Sequence, residues 1–425
     1  MRRSVGLDLG TTNSALAFAE GGKVSLAQFA HRAGVSDTFR SILYFQASDG
    51  PRRSAAFAGP AAIEQYLDDE GAGRLLQSLK SYLADRGFDA TSIFGRNYSL
   101  TDLLSFLVRT LRVDAERERG PVGGRIVVGR PVHFAGADTA EDDAFAEGRL
   151  RKAIVAGGFD EVVFEYEPVA AAYYYEARLD HDELVLIADF GGGTSDFSLV
   201  RVGPRSRAPG AERILANDGV GIAGDAIDAK ILHHVVSPAL GLGSTYQSML
   251  GKELPAPVWL YAKLRRWHHL SFLKSKRTTE LLREMLDQSN ERSKIEAFIH
   301  IVDFDLGYRL YRAVEQAKVA LSSADRATFF FEDDPVRIER EITRSDFESW
   351  IADETSAMAT CVDGTLAQAG VAPNDVDRVF MTGGTSFVPA VREIFESRFG
   401  TGKLAVGGEM ISVASGLALR ARDLA

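Results

Sequence analysis

Apolar positions at residues 4–9, 13–19 and 24–29 alternate or run together around Gly21-Gly22, which predicts a β-meander at the start of the chain. Residues 41–46 and 55–58 read as two more short strands. Helical spacing appears at 61–68 and 73–84. It is stronger at 101–118, where Leu103, Leu104, Leu107, Val108 and Leu111 fall on one stripe. Thr101 is the expected N-cap there, and Gly120-Pro121 the stop. The spacing then predicts a strand at 125–129, a helix at 141–156, a strand at 161–166 and a helix at 169–178. Two long strands fill 184–202, and another short one spans 213–217. Residues 237–300 read as mostly helical. A helix at 304–322 precedes strands at 326–331 and 336–342. Ser345-Asp346-Phe347-Glu348 reads as a capping box opening a helix to about 369. A strand at 376–382, a helix to Phe399 and a last helix at 411–420 close the pattern.

One grammar occurs twice. Val5-Gly6-Leu7-Asp8-Leu9-Gly10-Thr11-Thr12-Asn13-Ser14 is an apolar strand carrying one carboxylate, then a glycine and two threonines. Leu184 through Asp189-Phe190-Gly191-Gly192-Gly193-Thr194-Ser195-Asp196 repeats it. A carboxylate in a buried-type strand is costly unless something uses it. Glycines let backbone N–H groups approach an anion, and threonine hydroxyls add donors. Two such turns facing each other would grip a polyphosphate from both sides, with the aspartates toward its Mg²⁺, directly or through metal-bound water. The pattern therefore predicts two α/β halves, each with parallel and antiparallel strands, as a duplicated lobe pair with a cleft between.

Other features change this picture little. Gly219-Val220-Gly221-Ile222-Ala223-Gly224 matches a dinucleotide fingerprint, yet the βαβ unit it requires does not follow. It reads as a tight turn near a ligand or a helix start. The segment 237–300 carries Trp259, Trp267 and a basic run from Lys263-Leu264-Arg265-Arg266 to Lys274-Ser275-Lys276-Arg277. That reads as the solvated face of an insertion, with a patch for an acidic partner or membrane surface as the alternative. His233-His234 and His268-His269 lack metal-ligand neighbours at useful spacing.

At 425 residues, two domains or lobes are the prior. The 45% hydrophobic and 25% charged content is that of an ordinary globular protein, and the net charge of −10 argues against nucleic-acid binding. Cys361 is the only cysteine, which excludes an intramolecular disulfide framework and a cysteine metal site. Asp8 interrupts the N-terminal apolar stretch, so no signal peptide is read there. With no apolar run near membrane-spanning length, a cytoplasmic protein without membrane contact is expected.

These elements together resemble the actin-like ATPase superfamily, and within it the nucleotide-binding domain of the heat shock protein 70 family. Gly6–Ser14 and Asp189–Asp196 resemble its first two signatures. Thr382-Gly383-Gly384-Thr385-Ser386-Phe387-Val388-Pro389 resembles the third less closely. Phe164–Ala172 is similar to the segment between the lobes, and Ala317–Ser323 to the helix that holds the adenosine. The segment 237–300 and the early stop look like the short bacterial YegD-type branch.

The resemblance implies a duplicated two-lobe, ribonuclease H-like α/β fold with a central nucleotide cleft. Lobe I would span 1–180. Lobe II would span 181–382 with the insertion at 237–300, and return elements would fill 383–425, without a peptide-binding domain. It implies a monomer that binds ATP or ADP with Mg²⁺, and protein clients or co-chaperones that meet the lobes. Gly10, Thr11, Thr12, Asn13, Gly191, Gly192, Gly193 and Thr194 would meet the phosphates. Asp8 and Asp189 would hold Mg²⁺ through its waters, and Glu167 and Asp196 would orient the attacking water or a monovalent ion. Gly224 would form a turn at the nucleotide. Glu315 and Lys318 would bond the ribose, and Ser322, Gly383, Gly384 and Thr385 would line the base.

Two departures bear on activity. The family's lysine beside the γ-phosphate has no counterpart in Gly59-Pro60-Ala61-Ala62-Ile63-Glu64-Gln65, and Lys80 lies further on. A missing cation there should slow hydrolysis, so a slow ATPase is expected, with Lys80 and Arg52 the first residues to inspect. The family's base-stacking arginine corresponds to Phe387, whose ring can also stack. The alternatives are a nucleotide-binding scaffold or pseudo-ATPase without turnover and, behind it, a sugar-type small-molecule kinase.

Overall fold

The computed structural model describes residues 3–424 apart from 22, 33, 47–54, 70–72, 177–178, 208–212, 249–250, 265–272, 274–275, 305 and 406–411. Arg52, Trp267, His268-His269 and most of the basic run after Leu264 lie outside the described residues.

The opening meander forms as its pattern predicts. Strands β1 (Ser4–Leu9), β2 (Asn13–Glu20) and β3 (Lys23–Leu26) are antiparallel neighbours. Strands β4 (Arg125–Arg130) and β5 (Glu161–Tyr166) add in parallel on the other side of β1, giving the order β5-β4-β1-β2-β3. The second half repeats this. Strands β6 (Glu183–Phe190), β7 (Ser195–Val202) and β8 (Ile214–Val220) form an antiparallel meander. Strands β9 (Arg378–Thr382) and β10 (Leu404–Ala405) continue in parallel from β6, giving β8-β7-β6-β9-β10. Two mixed sheets of one topology with flanking helices are the duplicated actin-like ATPase fold.

Strand periodicity decides what each sheet face meets. Val5, Leu7 and Leu9 of β1 point into a core with helix α1 (Leu100–Arg119), whose Leu103, Leu104, Leu107, Val108 and Leu111 are all buried as the stripe predicts. Helix α2 (Ala140–Ala156) supplies Ala146, Leu150 and Ile154 to the same core. The other face of sheet one is built from small residues. Gly6 packs against the backbone of helix α4 (Ser412–Asp423), where an added Cβ would stand 2.3 Å from the Ala418 nitrogen, and Ala15, Ala17 and Ala19 meet Ala414 and Ala418. Helix α3 (Glu167–Glu176) lies against α4. A Cβ at Gly416 would fall 1.7 Å from the Ala170 oxygen. Val185, Ile187, Val200 and Val202 of sheet two share one core with Val127, Ala170–Ala172 and Leu417. The two sheets therefore clasp the α3–α4 pair.

The chain divides into two compact units. The first holds residues 1–223, 357–386 and 392–425, including both sheets. The second holds 224–356 and 387–391. In the second, helices Gly224–Ile231 and Gly307–Ser323 pack together beside the hairpin Arg326–Asp333/Val336–Thr343. The segment 237–300 is largely helical, with helices Val258–Leu264, Lys276–Gln288 and Arg292–Asp303. It also contains a small hairpin, Thr245–Gln247 with Glu253–Pro255. No described helix is long and apolar enough to cross a membrane.

Three local expectations are corrected. Residues 73–84 are not a helix. Arg74–Gln77 is a strand paired with Ile42–Phe45, and Leu79–Tyr82 is a 3₁₀ turn. Its leucines suit a helix, but pairing to an existing strand overrides that propensity. Helix α1 is capped by Ser99, not Thr101: the Ser99 hydroxyl accepts from the Asp102 N–H at 3.1 Å and Asp102 accepts in return from the Ser99 N–H. The helix at 344 is capped by Thr343, not by Ser345, its hydroxyl accepting from the Asp346 N–H at 3.1 Å. In both helices the chain turns helical earlier than the apolar stripe shows.

Candidate functional site

Sheet one delivers Asp8 to the site, and sheet two delivers Asp189 and Asp196. Asp8 shares the face of Gly6 near the end of β1, and Asp189 shares the face of Val185 and Ile187 near the end of β6. Glu167 is the first residue of α3. Asp196 stands directly opposite Asp189 in the β6–β7 register, and Thr382 of β9 is the neighbour of Asp189 on the other side. The Thr382 hydroxyl donates to Asp189 Oδ1, and the Thr194 hydroxyl donates to Asp196 Oδ2 at 2.9 Å. A pocket runs between Pro131, Val132, Glu167, Pro168, Ile187, Asp189, Asp196 and Ser198.

Lys80 joins these carboxylates. Its Nζ donates to Glu167 Oε1 at 2.6 Å, and the two side chains are only 10% and 13% exposed. Burial works against the lysine's charge, but Glu167, Asp8 and Asp189 outweigh it and hold its pKa above the ordinary value. The sequence offers no lysine within Gly59–Gln65 and names Lys80 for inspection; the structure sets Lys80 against Glu167. The misread segment 73–84 is the one that carries it, because the strand at Arg74–Gln77 ends in a left-handed Ser78 (φ 57°) that turns the chain and places Lys80 on the 3₁₀ turn. The clue in the sequence was the run Leu79, Leu83 and Ala84, three buried anchors around one lysine.

Crowding of like charges shows in the carboxylates. Burial, then the charge of Glu167, pushes Asp8 up to about 8, with Lys80 opposing and Asp189 adding. Asp196 is pushed up to about 7 by burial and by Asp189, against its bond from Thr194. Asp189 is also raised, by burial and Glu167, against the bond from Thr382. A further cation near these groups would relieve the repulsion. Among the described residues no three His, Cys, Asp or Glu side chains converge closely enough to ligate a metal directly.

The glycine turns are tight. A Cβ at Gly10 would lie 2.1 Å from the Asn13 oxygen, and the Gly191 N–H donates to the Thr194 carbonyl at 2.9 Å. Thr11, Thr12 and Asn13 follow Gly10, and Gly192 and Gly193 complete the second turn. Gly383 has φ 86° and no room for a side chain, since a Cβ would meet the Phe190 oxygen at 2.0 Å. Gly384 opens a 3₁₀ turn in which Thr385 is buried.

The remaining site residues from the sequence lie in the second unit and are described within it. Gly224 begins a helix whose Asp228 forms an ion pair with Lys318 at 2.8 Å. The Tyr311 hydroxyl donates to Asp228 at 2.8 Å and to Asp225 at 3.1 Å. Glu315 accepts from Arg312, and the Ser322 hydroxyl donates to the Lys318 carbonyl. Phe387 is 52% exposed. Tyr311 and Asp228 were not singled out in the sequence, where they look like ordinary helix-surface residues.

A family model described as Hsp70 protein matches residues 281–422. Across the whole chain, the similarity is to chaperones. The "Chaperone protein DnaK" of Thermosipho melanesiensis is 26% identical over 425 residues, covering 99% of this chain and 59% of the relative. That of Thermosipho africanus is 25% identical with the same coverage, and that of Thermus thermophilus 26% identical over 94% of this chain and 57% of the relative. The chain is thus similar to Hsp70/DnaK chaperones at low identity over most of its length, and it spans under three fifths of the length of these curated relatives.

Proposed function

We propose that the protein binds ATP and ADP with Mg²⁺ and hydrolyses ATP, as a chaperone-like protein of the heat shock protein 70 type. One observation carries the reading: Asp8, Lys80, Glu167, Asp189 and Asp196 converge where two like-folded sheets each end in a glycine–threonine turn. The crowded carboxylates fit a hydrated divalent cation, and Asp8 and Asp189 are the residues we assign to its waters. Mg²⁺ would neutralise phosphate charge. Backbone N–H groups and hydroxyls of Gly10–Asn13 and Gly192–Thr194 would bind the phosphates, with Gly191 closing the second turn. Glu167 and Asp196 would accept hydrogen bonds from the attacking water, and Lys80 would set positive charge beside the transferring phosphoryl group.

In this reading the cation comes from the Leu79–Tyr82 turn rather than from Gly59–Gln65, which supports turnover. On the nucleoside side, Glu315 and Lys318 would bond the ribose, Ser322 would line the adenine, Gly224 would form a turn at the nucleotide, and Phe387 would stack. Hydrolysis would gate contact with protein clients or co-chaperones. The YegD-type branch is the narrower assignment we propose, on the character of segment 237–300.

The test is calorimetry with Mg-ATP and Mg-ADP, followed by single-turnover hydrolysis. Binding is expected for both nucleotides, and to weaken with EDTA. Lys80→Ala should lower the hydrolysis rate by about 10²-fold or more while binding persists. No binding at millimolar nucleotide would end the reading, and binding with equal, negligible hydrolysis in wild type and Lys80→Ala would leave a scaffold.

A further inference from the structure

Lys80 sits on a turn that the chain has reason to leave. Ser78, just before it, holds a left-handed backbone (φ 57°, ψ 30°), which costs a non-glycine residue about 1 kcal/mol and persists only where the surroundings enforce it. Leu79 and Leu83 anchor the turn in the core. On its far side the chain runs irregularly through residues 83–89, where the Tyr82 and Asp85 carbonyls each accept only a turn N–H, from Asp85 and Phe88.

Arg149 of α2 meets those carbonyls. Its Nη1 donates to the oxygens of Tyr82 and Leu83 at 3.2 Å each and of Asp85 at 3.0 Å, and Nη2 donates to the Phe88 oxygen at 2.6 Å. The guanidinium lies 5.3 Å from the Phe145 ring, one helical turn back, which fixes its orientation. A planar fork with five donors can bridge four carbonyls, and a lysine ammonium cannot. The ties begin two residues beyond Lys80.

We propose that Arg149 is a positioning residue for Lys80: by clamping the carbonyls of Tyr82, Leu83, Asp85 and Phe88 it holds the Leu79–Tyr82 turn so that Lys80 stays against Glu167. The proposal rests on the reading of this site as an ATPase. Arg149 touches no reacting atom. Its loss releases the turn, and Lys80 then samples positions away from Glu167. A misplacement of about 1 Å at a charged group can cost about 10²-fold in rate while leaving ligand affinity little changed.

The experiment uses the full chain as wild type, Lys80→Ala, Arg149→Ala, Arg149→Lys and the double variant Lys80→Ala/Arg149→Ala. Arg109→Ala serves as a control, since Arg109 donates to the Ala156 carbonyl, away from the Leu79–Tyr82 turn. Single-turnover hydrolysis of Mg-ATP, calorimetric affinity for Mg-ATP and thermal unfolding are measured on each. Arg149→Ala is expected to lower the rate about tenfold or more and to change affinity less than about threefold. In the Lys80→Ala background it should add less than about twofold, because the group it positions is gone. Arg149→Lys keeps the charge and an aliphatic stem but not the fork. It carries the test if Arg149→Ala does not fold, with a rate still several-fold below wild type. Arg109→Ala should match wild type. The same loss from Arg149→Ala with and without Lys80 would overturn the positioning role, as would wild-type rates in both Arg149 variants. If Lys80→Ala itself hydrolyses at the wild-type rate, the assignment of Lys80 fails instead.

Discussion

At the scale of residues, the site is a balance of charges that water would separate. Asp8 titrates near 3.8 in an unfolded chain and about 8 in the native protein. Between those values the folded state holds a proton that the unfolded state has released, so this group favours folding at the acid end. That contribution disappears as pH rises through about 8. Asp196, raised to about 7, acts in the same sense over a narrower window. Exposed Asp68 and half-buried Asp142 are lowered by their hydrogen-bond partners and act oppositely at lower pH, so the informative quantity is a difference. In metal-free, nucleotide-free buffer, Asp8→Asn should gain on wild type in urea unfolding as pH goes from 5 to 8.5, by at least roughly 1 kcal/mol. A difference that is constant across this range would mean that Asp8 ionises normally. The aspartates themselves were legible in the sequence, since a carboxylate in an apolar strand before a glycine turn has few other uses. Lys80 could be named from the sequence as a candidate cation but not paired, because a lysine reveals its partner only once the backbone is placed.

At the scale of elements, backbone contact between α3, α4 and β1 decides where Glu167 and Asp8 end up. Gly416 meets the Ala170 carbonyl and Gly6 meets the Leu417–Ala418 backbone with no space for a methyl group. Gly416→Ala should therefore destabilise the protein by about 1–3 kcal/mol although alanine is the better helix former. Gly148 in α2 is the counter-case: a Cβ there meets nothing within 4 Å, and Gly148→Ala should stabilise by roughly 0.5–1 kcal/mol. Urea unfolding of the two variants checks both signs, and equal effects would show that close packing at Gly416 is not what limits it. Most elements could be read from the pattern, because α1 presents one apolar stripe to one core and β1 and β6 are near-continuous apolar runs buried on both faces. Periodicity failed at 73–84, where leucines spaced for a helix serve a strand and a turn. The sequence also set the caps two residues late, at Thr101 and Ser345 instead of Ser99 and Thr343, since a cap belongs to the hydrogen-bond ends of a helix and not to its buried stripe.

At the scale of the whole molecule, the repeated grammar of the sequence is a repeated topology, β5-β4-β1-β2-β3 and β8-β7-β6-β9-β10, and both copies clasp the same two helices. The duplication was visible in the sequence because each copy keeps its Asp, its glycines and its threonine. The ion pair of Lys318 with Asp228 was not, because nothing in the spacing of two helices 90 residues apart (228 to 318) announces it. A ligand gripped by only one turn would stabilise only one sheet's end. A polyphosphate held by both must order Gly10–Asn13 and Gly192–Thr194 together, and their backbone N–H groups are the donors we assign to it. Amide hydrogen exchange followed by mass spectrometry reads this directly. Mg-ATP at about 100 times its dissociation constant stabilises the bound state by about 2.7 kcal/mol, so exchange in both turns should slow together. Protection confined to one turn would contradict a two-sided phosphate grip even if calorimetry showed tight binding. Protection of both by Mg-ATP, lost in Asp8→Asn at the same nucleotide concentration, would tie the grip of sheet two to a carboxylate carried by sheet one.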